Sequence, residues 1–259
     1  MQTKTPLARN LAIMQPYFFP YLGYFALIKH TDFFLVFDPV QYISKGWMNR
    51  NRVLKPGEGW QYLTVPLQKH TQEVLIKDVL VKPGDDWKML MLRQMEHYKK
   101  RAPHYAAVRG LMETCFQYDD VSLSRLNTHY LERVCQYIGL PFSHAVFSDL
   151  DLILEPAPTT PDEWALRTTQ TLGATTYVNQ PGGRTFFDPT KYAGAGIDLR
   201  FIDFEPQSYS QRRPVFEAGL SILDVLMFNA PEQVLVVLDH AELNAMLPCG
   251  TADVSASAK

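Results

Sequence analysis

The feature that most constrains the fold lies near the start of the chain, where two short apolar runs flank a segment with helical periodicity. The runs are Leu11–Met14 and Phe33–Phe37. Between them, apolar side chains recur at the three- and four-residue spacing of one helix face. A strand, a helix and a strand in so short a segment predict a βαβ unit, whose strands are parallel and joined by a right-handed crossover. The side chains that set the helical spacing are Tyr21, Tyr24, Phe25 and Ile28.

The rest of the chain predicts a β-hairpin, a helical insertion and a second α/β half. Two extended segments, Trp47–Leu54 and Trp60–Pro66, are joined by a glycine- and proline-rich turn, which is typical of a hairpin. Amphipathic stripes over about residues 85–140 predict helices. The capping pattern at Thr160–Glu163 predicts a helix that ends at Gly173. Further strands are expected at His144–Ser148, Thr175–Val178 and Ile197–Phe204, and closing helices at Ser221–Asn229 and Glu232–Asp239.

Together these elements predict an α/β fold with a largely parallel sheet of Rossmann-like (HUP or nucleotidyltransferase-like) type. The helical insertion and the hairpin are additions to that sheet. We expect a single α/β domain over residues 1–248. Residues 249–259 are rich in Ser, Ala and Thr, which predicts a disordered tail.

Charge and cysteine content narrow the classes of function. The chain has 25 Lys and Arg against 27 Asp and Glu, without the basic excess of nucleic-acid-binding proteins. It shows no signal-peptide layout and no apolar run of membrane-spanning length. The three cysteines are far apart, which predicts neither a disulfide framework nor a zinc site. We therefore expect a cytoplasmic protein without metal, membrane contact or general nucleic-acid binding, in which Cys115 and Cys135 pack as small apolar residues.

Polar side chains at the ends of the first two predicted strands are the first candidate site residues. Gln15, Tyr17 and Tyr21 follow the first strand, and Asp38 follows the second. Ligands of open parallel sheets bind outside the carboxyl ends of the strands. We expect these side chains to line one cleft, in which Asp38 or a nearby polar group is the catalytic candidate that takes a proton.

This opening resembles that of pantothenate synthetase and related nucleotidyltransferases. Their His-x-Gly-His box corresponds here to Tyr21-Leu22-Gly23-Tyr24, and a later segment reads Asp38-Pro39-Val40-Gln41-Tyr42. The resemblance implies a nucleotide-binding architecture. Both histidines, which would stabilise charge on the phosphates, are absent, and this weakens the case for adenylate chemistry.

The segment Trp47–Asn51 is the second candidate. Strand alternation would place Trp47, Asn49 and Asn51 on one face and Arg50 on the other. Two amides and an indole on one face suit a sugar or another polyhydroxyl ligand. The alternative is an exposed edge hairpin with asparagine at its bends.

The third candidate is Gly182-Gly183-Arg184, which follows a predicted strand. Consecutive glycines let backbone N–H groups approach an anion, and arginine binds phosphate or carboxylate with two parallel hydrogen bonds. An ordinary Pro-Gly turn with a surface arginine is the alternative, because such dipeptides are common turn markers.

Unusual segments are spread from about residue 11 to residue 235. They are Met14–Phe25, Asp38 with Gln41-Tyr42, Trp47–Asn51, Leu63–Pro66, Ser122–Ser124 with Leu126-Asn127, Leu172–Tyr177, Gly182–Arg184, Ala195–Ile197 and Leu220–Asp224. Together they resemble the WbqC-like proteins of bacterial surface-polysaccharide (O-antigen) and specialised-metabolite gene clusters. The resemblance implies that Trp47–Asn51 and Gly182–Arg184 are site elements. The chain departs from the family at Asn179-Gln180 and at Arg213, Pro214 and Gly219, which leaves the substrate open.

The function that the resemblance implies is that of a biosynthetic acyl- or aminoacyl-transferase. It would act on an amine of a nucleotide-linked sugar or a similar small metabolite, free or carried on another macromolecule. Two alternatives stay open: an ATP-dependent ligase or nucleotidyltransferase, and a non-catalytic partner in a biosynthetic complex. The cofactor is unknown. Beside the catalytic Asp38, the predicted substrate-binding residues are Gln15, Tyr17, Tyr21, Gln41, Trp47, Asn49, Arg50, Asn51, Gly183 and Arg184.

Overall fold

A mostly parallel sheet forms the centre of the protein, in a computed structural model that describes residues 9–246. The described residues form eight strands: β1 (Asn10–Met14), β2 (Phe33–Val36), β3 (Arg50–Leu54), β4 (Trp60–Thr64), β5 (His144–Val146), β6 (Thr176–Asn179), β7 (Asp198–Asp203) and β8 (Glu242–Ala245). Six of them form one sheet in the order β5-β2-β1-β6-β7-β8. Only β8 is antiparallel to its neighbour in this sheet. The parallel arrangement predicted for β1, β2, β6 and β7 is confirmed.

The predicted hairpin is a separate two-stranded antiparallel sheet, formed by β3 and β4. Strand β3 begins at Arg50, whereas the sequence predicts an extended segment from Trp47, so residues 47–49 precede the strand. At its other end, the two strands are closed by the turn that contains Gly57 and Gly59, and both glycines have positive φ angles.

Helices cover both faces of the sheet. In the described residues they are α1 (Leu22–Lys29), α2 (Asp86–Gln94), α3 (Tyr105–Phe116), α4 (Leu123–Ile138), α5 (Pro161–Leu172), α6 (Pro189–Gly194), α7 (Ile222–Phe228) and α8 (Pro231–Leu238). Helices α2 to α4 lie between β4 and β5, where the sequence predicts helices. Both Gly139, after α4, and Gly173, after α5, adopt the left-handed conformation that ends a helix at little cost for glycine.

Helix α6 and strand β8 are not predicted from the sequence, and β5, like β3, is shorter than predicted. Helix α6 has only 6 residues, too few to show a periodic pattern. Strand β8 pairs at the sheet edge and is mostly exposed, so it lacks the alternation of a half-buried strand. The strand expected over His144–Ser148 ends at Val146, where a 3₁₀ turn over Phe147–Asp149 begins.

Strand alternation divides the core into two layers. In β1, Leu11 and Ile13 pack in the layer that α5 and α6 cover, whereas Ala12 packs in the layer that contains α1, α3, α4, α7 and α8. The central strands β1, β2 and β6 are largely buried on both faces, as expected for parallel strands covered by helices.

Two cysteines, Cys115 and Cys135, lie in the described part of the chain. Their side chains are 0% and 1% exposed, in the core layer that contains α3 and α4. Burial raises the pKa of Cys115 to about 12 and that of Cys135 further. Only the thiolate is the nucleophile. In a Cys249→Ser background, we expect iodoacetamide at pH 8 to leave both thiols unmodified in the native protein and to alkylate both in urea. Mass spectrometry after quenching measures this, and native labelling at the rate of free cysteine would contradict it.

In residues 9–246, no helix is long and apolar enough to cross a membrane. The same part of the chain contains no cluster of three or more His, Cys, Asp or Glu side chains that could hold a metal ion. Cys249 and the tail predicted over 249–259 lie outside the described residues.

Candidate functional site

A cleft of about 590 Å³ opens at the carboxyl edge of the sheet, beside its two central strands. From β1 the chain continues to β2 on one side, whereas β6 and β7 lie on the other side of β1. Ligands of open α/β sheets bind in the crevice at such a switch point. The lining residues are Ile13, Met14, Gln15, Tyr17, Phe37, Val40, Pro158, Thr159, Thr160, Pro161, Trp164, Ala165, Tyr177, Asn179, Phe186 and Phe187.

The lining of this cleft is uncharged, because none of its residues is Asp, Glu, His, Lys or Arg. Aromatic rings form much of the wall; those of Phe37 and Trp164 meet edge to face at 5.8 Å. The polar groups are amides and hydroxyls. Asn179 is fixed in the wall, since its Nδ2 donates to the Tyr177 hydroxyl and its Oδ1 accepts from the Gln180 amide. Such a surface suits an uncharged, planar or polyhydroxyl group better than a phosphate.

The tyrosines of the first loop stay protonated at neutral pH. Burial raises the pKa of Tyr17. Burial and the nearby Tyr17 together raise the pKa of Tyr21 to about 12. Their hydroxyls can therefore donate hydrogen bonds to a ligand oxygen, but they are not bases at pH 7. Tyr17 lines the cleft, whereas Tyr21 stands directly before α1, where its ring packs closely over Gly23.

The start of α5 borders the cleft, and its hydrogen bonds differ from the predicted capping box. The Thr160 hydroxyl contacts Asp162 and does not cap the helix. Glu163 accepts instead from the amide and hydroxyl of Thr159, and these bonds lower the pKa of Glu163 to about 2. Lys191 forms ion pairs with Asp162 and Glu163. Two carboxylates already occupy this helix start, so it does not attract a further anion.

The loop between β1 and α1 is held by side chains from distant parts of the chain. Phe19 has a φ of 37°, an unusual conformation for a bulky residue. Such strain persists only where surrounding contacts fix it. Buried side-chain donors provide these contacts by binding the loop carbonyls. They are Tyr24 on Gln15 (2.8 Å), Asn127 on Pro16 (2.8 Å), Asn51 on Phe18 and Phe19 (3.0 and 2.9 Å) and Ser221 on Phe19 (2.7 Å).

Asp38 lies after β2 but does not line the cleft. Its side chain is 1% exposed. Its carboxylate accepts from the Ser124 hydroxyl (3.0 Å) and from the hydroxyl and amide of Ser148 (2.8 and 3.2 Å). Asp38 thus connects the end of β2 with α4 and with the segment after β5.

The hairpin arranges its predicted site residues differently from the expected alternation. Trp47 is 38% exposed, whereas Asn51 is 4% exposed and turned toward the first loop. Asn49 is half-buried and bonds to the Tyr42 hydroxyl and the Val65 carbonyl. The exposed side of the hairpin carries arginines stacked on aromatic rings: Arg50 on Tyr62 at 4.1 Å, and Arg52 between Trp47 and Trp60 at 5.3 and 5.2 Å.

The remaining predicted residues are also engaged within the protein. The Arg184 guanidinium contacts both carboxylate oxygens of Asp203 at 2.9 and 2.8 Å. The Gly183 amide donates to the Gln180 carbonyl, and a Cβ at Gly183 would approach the Phe187 ring to 2.9 Å. Gln41 is exposed and donates to the Gln72 carbonyl. Of the predicted site residues, only Gln15 and Tyr17 line the cleft.

Sequence reasoning missed the opposite wall of the cleft. Thr159 and Thr160 directly precede α5, Trp164 lies in its first turns, and Phe186 lies before α6. A signal existed for α5: a helix that precedes a parallel strand begins at the carboxyl edge of that strand. No signal pointed to Phe186, because an exposed aromatic residue in a loop has no pattern of its own.

Comparison with known proteins confirms the resemblance. The WbqC-like protein family matches residues 15–236. The "Uncharacterized protein Rv1507c" of Mycobacterium tuberculosis (strain ATCC 25618 / H37Rv) is 32% identical over 224 residues, which are 85% of this chain and 94% of the mycobacterial protein. No solved structure matches the chain. Since the family match includes both the first loop and the distant segments that hold it, this chain belongs to the WbqC-like protein family.

Proposed function

We propose that this protein is a biosynthetic enzyme that transfers an acyl or aminoacyl group to an amine of a small metabolite, and that its cleft binds the uncharged ring of that metabolite. The observation that carries the proposal is the uncharged, largely aromatic lining at the switch point of the sheet. The transfer reaction, and a place in O-antigen or specialised-metabolite biosynthesis, follow from the family resemblance.

The ring of a nucleoside or a sugar matches the chemistry of the lining. Aromatic walls such as Trp164 and Phe186 can stack on such a ring. The amide of Gln15 offers both a donor and an acceptor to its polar edge. A nucleotide-linked sugar fits this site with its nucleoside ring inside the cleft and its phosphates outside.

Acyl transfer to an amine requires the amine nitrogen to bond to the acyl carbon while the leaving group departs with its electron pair. The amine proton passes to the leaving group or to solvent. Negative charge develops on the acyl oxygen, and a protonated hydroxyl that faces it would stabilise that charge. Tyr17 lines the cleft, so we assign its protonated hydroxyl to hydrogen bonding with the bound ring. We assign Asp38 a role in holding the cleft edge, because its carboxylate already accepts three hydrogen bonds.

We further propose a Rossmann-like fold of nucleotidyltransferase type, as one domain over residues 1–248, in a cytoplasmic protein. The strand order, which places β2 and β6 on opposite sides of β1, supports this type. The ATP-dependent ligase stays the second candidate on the same grounds. The uncharged lining favours the transferase, since a ligase must hold the reacting phosphate of its triphosphate with cationic or N–H groups, whereas the phosphates of a nucleotide-linked sugar can stay outside the cleft.

Isothermal titration calorimetry with a nucleoside, its diphosphate sugar and its triphosphate tests the proposal. A mass-spectrometric screen of the purified protein for bound metabolites identifies which nucleobase these three ligands should carry. We expect the nucleoside to bind within about tenfold of the diphosphate sugar, because the ring supplies most of the contacts. Much tighter binding of the triphosphate, with release of pyrophosphate, would support the ligase instead. A protein that binds none of the three would support the non-catalytic partner.

Two variants locate the site. Phe186 is 51% exposed and lines the cleft, so Phe186→Ala should weaken binding of the selected nucleoside about tenfold without lowering the melting temperature. Gln15→Ala should weaken it less, through loss of one or two hydrogen bonds. Calorimetry on each variant measures both effects.

The matched controls are Phe216→Ala and Gln136→Ala, which remove the same side chains from exposed positions outside the cleft. Both controls should bind as the wild type does. If Phe186→Ala and Phe216→Ala weaken binding equally, the nucleoside does not bind in this cleft.

A further inference from the structure

A second concave surface, of about 460 Å³, lies between the β3–β4 turn and the loop that precedes α7. We call it the arginine pocket. It shares no lining residue with the cleft. Its lining residues are Gly57, Glu58, Gly59, Arg101, Arg212, Arg213, Pro214, Val215 and Glu217.

Three arginines from two distant parts of the chain line this pocket. Arg101 follows the 3₁₀ turn after α2, and Arg212 and Arg213 are adjacent in the loop before α7. In residues 9–246 none of the three forms an ion pair with a carboxylate, unlike Arg125 and Arg184. Guanidinium groups that lack a carboxylate partner are common binding groups for phosphate and carboxylate, and Arg213 is in addition held in place by two backbone carbonyls.

The loop that carries two of these arginines is fixed by buried hydrogen bonds. Gln211 is 3% exposed, and its amide both donates to the Glu217 carbonyl and accepts from the Glu217 amide, each at 2.9 Å. Arg213 donates to the Gly59 carbonyl at 3.1 Å and to the Lys55 carbonyl. The pocket is therefore preorganised, which lowers the entropic cost of binding a ligand.

Backbone conformation at Arg212 adds a second observation. Its φ is 49°, in the left-handed region that residues other than glycine and asparagine rarely adopt. Strained residues cluster at ligand-binding sites, where the surrounding structure holds them. Because asparagine also adopts this conformation, Arg212→Asn can remove the charge of Arg212 without changing the conformation of the loop.

The charges of Arg101 and Arg213 act on one half-buried histidine, His97. Burial lowers the pKa of His97, and the positive charges of Arg213 and Arg101 lower it further. Both charges therefore lie near one imidazole, although they come from different segments. Glu58 and Glu217 complete the pocket and supply acceptors for hydroxyl or ammonium donors.

We propose that the arginine pocket binds a small metabolite that carries an oxyanion, either phosphate or carboxylate, together with hydroxyl or ammonium groups. Arg101, Arg212 and Arg213 bind the oxyanion, and the two glutamates accept from the donor groups. This site is independent of the ring-binding cleft, and the proposal does not rest on the transferase function.

Calorimetry with four probes at low ionic strength tests this site. Glucose 6-phosphate and inorganic phosphate represent the phosphate source, glycine represents a zwitterionic carboxylate, and glucose lacks the anion. We expect saturable binding of glucose 6-phosphate or glycine, at least tenfold tighter than that of glucose. Whichever of the two binds more tightly identifies the source of the oxyanion.

The variants Arg101→Gln and Arg212→Asn should each weaken that binding about tenfold, because each removes one charge-assisted contact. Asparagine tolerates the left-handed conformation, so Arg212→Asn should leave the melting temperature unchanged. Arg93→Gln, at an exposed arginine outside the pocket, is the control and should bind as the wild type does.

Three results would overturn the proposal. The first is no saturable binding of any anionic probe at millimolar concentrations. The second is an equal loss of binding in Arg93→Gln and Arg212→Asn, which would indicate general electrostatic attraction. The third is a short single-stranded oligonucleotide that binds far more tightly than every small probe, because this would make the surface a nucleic-acid site.

Discussion

Replacing Asp38 with alanine is expected to lower the free energy of unfolding by roughly 3 kcal/mol, because buried donors lose their acceptor. The hydroxyls of Ser124 and Ser148 and the Ser148 amide all donate to this carboxylate. Because Asp38 is only 1% exposed, water cannot take the place of its carboxylate unless the surrounding structure rearranges. Asp38→Asn keeps one acceptor oxygen and should cost less. Urea denaturation of both variants, followed by circular dichroism, measures the two losses.

The control is Asp119→Ala, which removes an exposed carboxylate from the loop between α3 and α4 and should change stability by less than about 0.5 kcal/mol. If Asp38→Ala is as stable as this control, the carboxylate is not needed by the fold. The catalytic role that the sequence predicts for Asp38, with a carboxylate available for proton transfer, would then be the better explanation of this residue.

The sheet could be predicted because its strands carry a signal in their own composition. Strands β1 and β2 are short apolar runs with a helical pattern between them, and this combination has few other structural solutions. Helix α5 was also predictable at both ends, from Pro161 at its first position and from Gly173 after its last. Strand β8 had no such signal, since its side chains are mostly exposed and it pairs at an edge.

The candidate site was only partly predictable, because residue type does not identify a hydrogen-bond partner. Gln15 and Tyr17 line the cleft as expected of residues after a central strand. Arg184 has the chemistry of an anion-binding residue, but Asp203 on the neighbouring strand is its partner in the structure. Such a pairing depends on how β6 and β7 align, and local sequence carries no information on it.

Asn49 and Asn51 also show that residue type does not identify a hydrogen-bond partner. On a strand, Asn49 and Asn51 have the appearance of ligand-binding amides. In the structure, Asn51 donates to two carbonyls of the first loop and accepts from the Arg52 amide. A loop whose carbonyls are buried needs donors from elsewhere, because unpaired backbone groups are costly. Asn51, Asn127 and Ser221 thus share a structural role, because all three hold the loop that forms one wall of the cleft.

Asn51→Ala is therefore expected to lower the free energy of unfolding by about 3 kcal/mol, since it removes the Asn51 donor from the Phe18 carbonyl, leaves Ser221 as the side-chain donor to the Phe19 carbonyl, and loosens the strained Phe19. Asn51→Asp should be at least as destabilising at pH 7, although it has the same size, because a carboxylate would face two carbonyl oxygens. Urea denaturation measures both variants against Asn244→Ala, which removes an exposed amide with a single bond to Asp203 and should cost less than about 1 kcal/mol. A ligand-binding role for Asn51 predicts the opposite pattern, with stability close to that of the wild type in Asn51→Ala and a loss of binding alone. That result would mean that Asn51 is available to a ligand and that other contacts hold the first loop.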